Sequence, residues 1–69
     1  MLSNSDKLVI VEQKIKNLEY QKYGIELDLQ LENATSVPDQ ENLVSINTRL
    51  ADANAKLDVL NAEKASLGE

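Results

Sequence analysis

The sequence predicts an all-α fold: an antiparallel hairpin of two long helices that dimerises into a four-helix bundle. Three observations carry this. Apolar residues recur at alternating spacings of three and four on both sides of a single turn, which is the period of a helix seam. The turn holds the only proline, and the only cluster of turn-forming and capping residues between the two long mixed polar and apolar segments. Finally, a chain of 69 residues rarely builds a core worth more than about 3 to 5 kcal/mol alone, so it calls for a staple.

The first helix is expected over about 5–34. Ser3 with Asp6 has capping-box spacing at its start. Leu8, Val11, Ile15, Leu18, Lys22, Ile25 and Leu29 then form its seam. The stretch "GIELDLQLE" at 24–32 alternates apolar and polar residues as a half-buried strand would. Its leucines, glutamates and glutamine favour a helix, however, and it is in phase with the seam before it. At about 100° per residue, Ile25 and Leu29 lie on one face while Leu27 and Leu31 lie nearly opposite, joined by Tyr20 and Tyr23. The first helix is therefore apolar on two sides, and the second side needs its own partner.

The turn is placed at about 35–38. Pro38 cannot occupy a helix interior, and Val37 before it is pushed out of the α region. Ser36 with Asp39 fits a capping box, with Asp39 as a competing N-cap. Asp39 and Glu41 set negative charge at the positive end of the second helix dipole.

The second helix is expected over about 39–67, with Gly68 as its stop. Leu43, Ile46, Leu50, Ala53, Leu57, Leu60 and Leu67 make its seam, interrupted only by Lys64. Facing residues of an antiparallel pair have position numbers of nearly constant sum. A sum of about 75 brings Ile15 to Leu60, Leu18 to Leu57, Ile25 to Leu50 and Leu29 to Ile46, and sets Lys22 opposite the small Ala53. On the flanks it sets Lys14 by Glu63 and Asp28 by Arg49, opposite charges in both cases.

Val44, Ala51, Ala55, Val59 and Ala62 recur at helical spacing on the other side of the second helix. With Tyr20, Tyr23, Leu27 and Leu31 they are expected to form a second apolar surface, the candidate interface for self-association or for a partner. A homodimer is favoured, with larger coiled-coil assemblies as its extension.

The chemistry available is narrow. There is no cysteine and no histidine, so disulfides, the usual zinc ligands and the common nucleophile and base pairs are missing. No Gly-rich phosphate loop is present. No cofactor, no metal and no catalytic residue are expected, and the chain is read as a non-enzyme. Glu12, Glu19 and Glu26 form a row at heptad spacing, read as a solvated flank helped by Glu12–Lys16 and Glu19–Lys22 pairing. Asn47, Asn54 and Asn61 form a matching row, which bonds to the glutamates or recognises a partner, with a structural or neutral role that limits wrong registers favoured. Lys22 and Lys64, in seam positions, are read as register-setting residues. Gly24 in mid-helix points to the close approach of another helix, with a kink or a ligand contact as the alternative.

The net charge of −5 has the wrong sign for neutralising nucleic-acid phosphates, so nucleic acid is a disfavoured partner. The short run "LVIV" is neither a membrane span nor a signal peptide, so no membrane is expected and the default location is the cytoplasm. The function expected is a small dimeric adaptor, scaffold or regulatory protein of a kind that would suit a phage or bacterial accessory protein. The alternative is a nucleic-acid-related regulator, either an RNA-binding hairpin dimer or an acidic DNA mimic.

Overall fold

The computed structural model describes residues 1–68. It consists of α1 (Asn4–Asn33) and α2 (Gln40–Gly68), packed against each other. The Cα trace measures 54 × 17 × 15 Å, a rod two helices across. The alternating stretch at 24–32 is helical throughout, so its second apolar side is a face of a helix.

Each helix begins on a side-chain cap. The Ser3 hydroxyl accepts from the Asp6 amide at 3.1 Å and the Asp6 carboxylate accepts from the Ser3 amide at 3.2 Å, a complete capping box. At the start of α2 the cap is Asp39 and not Ser36. Asp39 Oδ1 accepts from the Glu41 amide at 3.0 Å, and the Asp39 carbonyl accepts the first intrahelical bond, from the Leu43 amide. Glu32, in the last turn of α1, reaches over the turn. Its Oε1 accepts from the Asp39 amide at 3.3 Å and from Asn42 Nδ2 at 2.9 Å. In a capping box the third helical residue returns a carboxylate to the cap amide. Here that residue is Asn42, and Glu32 of the other helix supplies the carboxylate.

This arrangement gives an expected result. Asp39→Ala should lower stability by about 0.5 to 2 kcal/mol, the usual effect of removing an N-cap. Ser36→Ala should stay within about 0.5 kcal/mol of the parent. Urea titration followed by circular dichroism compares them, and equal effects would contradict the cap assignment.

The seam is where the residue spacing puts it. Leu8, Val11, Ile15, Leu18, Lys22, Ile25 and Leu29 of α1 are buried or half-buried, as are Leu43, Ile46, Leu50, Ala53, Leu57, Leu60 and Leu67 of α2. Among the described residues, the enclosed core consists of Val11, Ile46 and Ala53, with Ile46 only 1% exposed. Two helices enclose little because each lies against one neighbour alone.

The register is fixed by bonds between the helices. Arg49 pairs with Asp28 at 3.6 Å, Lys64 with Glu12 at 3.9 Å, and Asn42 bonds to Glu32. All three join positions whose numbers add to within about two of 75. The expected Lys14–Glu63 pair is not among the ion pairs of the described residues. Glu12 pairs across the hairpin with Lys64 and not along the helix with Lys16. Lys16 instead lies over the Tyr20 ring, 5.9 Å from its centroid. Exposed pairs like these contribute only about 0 to 1 kcal/mol each, so they select the register more than they hold it.

Candidate interaction surface

The side chains that face away from α2 on α1 are large and apolar. Tyr20 is 66% exposed, Tyr23 62%, Leu31 68% and Leu27 38%. Leu27 is the most covered because Tyr23 and Leu31 stand one turn to either side of it. These four residues lie about 160° round the helix from the seam, so no part of α2 can reach them.

Gly24 lies at the edge of this patch, where it also lines the groove beside α2 with Ile25, Asp28, Arg49 and Ala53. A Cβ built there meets nothing within 4 Å, and its backbone is not in the left-handed region. The hairpin itself therefore does not require a glycine. Tyr20, Tyr23, Gly24 and Leu27 stand in the i, i+3, i+4, i+7 relation that forms the socket of knobs-into-holes packing. With glycine at one corner, that socket has a notch in its rim.

On α2 the outward residues are Val44, Ala51, Ala55, Val59 and Ala62, all exposed, the two valines at 65% and 69%. They lie about 170° round α2 from its seam. The outer faces of α1 and α2 consequently look in opposite directions. The single second surface expected from the sequence is two surfaces, on opposite sides of the hairpin. The physical reason is that each helix spends its inner face on the other, and what lies opposite an inner face must point away.

Three features add detail. Val9, 57% exposed, sits about three turns before Tyr20 on the same side of α1. Its spacing from Tyr20 could have revealed this in the sequence. Asn47 donates from Nδ2 to the carbonyl of Leu43, one turn back in its own helix, at 3.0 Å. It thus bonds along α2 and not across to the glutamate row. Lys22 is half-buried in the seam, whereas Lys64 is exposed and engaged with Glu12.

Among the described residues, no group of three or more acidic side chains is placed to hold a metal ion. No helix among them is long and apolar enough to cross a membrane. Comparison with protein-family models, with curated proteins and with solved structures finds no match to this chain.

Proposed function

We propose that the chain is a non-enzymatic protein–protein interaction module, a self-associating hairpin that serves as an adaptor, scaffold or regulatory subunit. The observation that supports this reading is the patch of Tyr20, Tyr23, Leu27 and Leu31, held out to solvent on a long helix. Aromatic residues presented in this way are strong interface anchors, since a ring buries much apolar area with little side-chain freedom to lose. A homodimer with four helices is the assembly the reading favours. Docking through outer faces arranges those helices as a layer and not as a square bundle, because the outer faces lie opposite the seams.

The test is photo-cross-linking in the cell that makes the protein. A benzoylphenylalanine at Tyr23 should give a protein adduct, whether with a second copy or with another protein. The same probe at Asn61, on the polar flank of α2, should give much less. Equal or absent adducts at the two positions would defeat the proposal.

A further inference from the structure

We infer that two copies meet on the flank groove between α1 and α2, antiparallel about a two-fold axis at Gln21, so that Lys14 faces Asp28 of the other copy and Lys56 faces its Asp52. This rests on the reading of the chain as self-associating and names the face it uses. Docking through that flank makes a square bundle, in which each helix lies against two others.

Two stretches of the groove share Leu18, Gln21 and Lys56, so they form one channel from Lys14 to Asp28, about 21 Å along α1. Its floor is apolar, with Leu18, Ile25 and Leu60, and the small Gly24 and Ala53 leave it wide. A Cβ at Gly24 meets nothing within 4 Å, so the glycine keeps open a space that the hairpin does not fill.

Charge names the occupant. Lys14, Arg49 and Lys56 line the groove against Asp28 and Asp52, a nearly balanced strip in a chain of net charge −5. Two such chains repel wherever carboxylates meet, as they would on the opposite flank, where Glu12, Glu19 and Glu26 stand in a row. In the groove the charges complement themselves. Lys14 and Asp28 lie equally far on either side of Gln21, and Asp52 and Lys56 equally far on either side of Asn54. Positions 21 and 54 add to 75, the register of the hairpin, so both midpoints lie at one level and a single two-fold axis serves both helices. Among the described residues Arg49 pairs with Asp28, whereas Lys14 and Lys56 are in no ion pair. The second copy supplies a carboxylate to each of these lysines. Leu18 then meets Ile25 of the other copy, and Asn17 enters the space beside its Gly24. The two Gln21 carboxamides meet on the axis, each able to donate and to accept. A second copy turned parallel, with α1 on α2, would leave Lys56 beside Gln21 and without a carboxylate. An interface in which the same flank faces itself also closes at two copies.

The chain lacks cysteine, so an introduced one reports on geometry without interference. Gln21→Cys, on the axis, should form a disulfide with its own counterpart under mild oxidation, since facing positions on closely packed helices come within disulfide reach. Tyr23→Cys, on the outer face, should not. Sedimentation equilibrium should show a dimer for the parent chain. Asp52→Lys and Lys56→Glu should each dimerise about tenfold more weakly, because each sets like charges opposite one another at two places across the axis. Mixed in equal amounts they should dimerise as the parent does, since every contact of position 52 with position 56 between unlike copies again joins opposite charges. The mixture separates the contact from any effect of either substitution within its own helix.

A parent chain that stays monomeric at all concentrations overturns the inference, while Tyr23 adducts with another protein would still uphold the interaction module. A dimer that cross-links as a Gln21→Cys and Lys56→Cys mixture, but not as Gln21→Cys alone, overturns it in favour of the parallel packing. Charge variants that dimerise as tightly alone as when mixed also overturn it.

Discussion

Ile46→Ala is expected to leave the chain largely unfolded in dilute solution. Ile46 is the most enclosed side chain, 1% exposed, in a core that otherwise encloses Val11 and Ala53. Removing a buried isoleucine down to alanine costs about 2 to 5 kcal/mol, from lost transfer energy and from the cavity left behind. A single core of this size supplies about 3 to 5 kcal/mol in total, so the loss is comparable with the whole. Ile46→Val should cost about 0.5 to 1.5 kcal/mol and remain folded. Val44→Ala, two residues away but 65% exposed, should stay within about 0.5 kcal/mol of the parent. Far-UV circular dichroism under urea at low protein concentration separates the three. If Ile46→Ala and Val44→Ala behaved alike, the seam would be wrongly placed.

The second large effect tests the pairing of Lys22 with Ala53. Ala53 is 5% exposed and Lys22 is half-buried on the facing helix. The lysine stem can run along the seam to water because the residue opposite is small. Ala53→Leu fills that space and should cost about 1 to 3 kcal/mol through overpacking. Lys22→Ala made in the same chain should return much of this, since the large and small partners have only changed sides. A coupling of about 0.5 to 3 kcal/mol in the double-mutant cycle is expected of side chains that touch. Additive effects would mean the two residues do not face each other, and the register would need to shift.

The seam was legible because a three-and-four repeat on each side of one proline admits few other arrangements, and every apolar seam position is buried or half-buried. Opposite charges pointed to Asp28–Arg49, which lie on the same flank of the hairpin and pair at 3.6 Å. Charge alone could not choose between Lys16 and Lys64 as the partner of Glu12, because long exposed side chains have several neighbours of nearly equal energy. The cap of α2 was open between Ser36 and Asp39, since the choice depends on where the chain leaves the turn. Glu32 was not legible at all. Its role comes from a carboxylate at the end of one helix meeting the bare amide at the start of the next, a relation that periodicity does not encode. The two outer faces could have been told apart, because on a helix a residue opposite the seam must point away from the partner. The residues of both outer faces were readable in the sequence, but joining them into one surface overlooked that each lies opposite its own seam.

The short turn, latched by Glu32 to Asp39 and Asn42, has a consequence in time. Every layer of a hairpin closes a loop, and the entropy lost in closing it rises with the length of chain between the partners. The layer nearest the turn is therefore the least costly to form, and once it exists each later layer adds only a short further length. Folding should start at the latch and run towards the termini like a zipper, with the speed of a topology rich in local contacts. Opening should run the other way. Amide hydrogens near Leu8 and Leu67 should exchange soonest and those near Ile46 last, so that a chain pulled or warmed from its ends lets go one helical turn at a time.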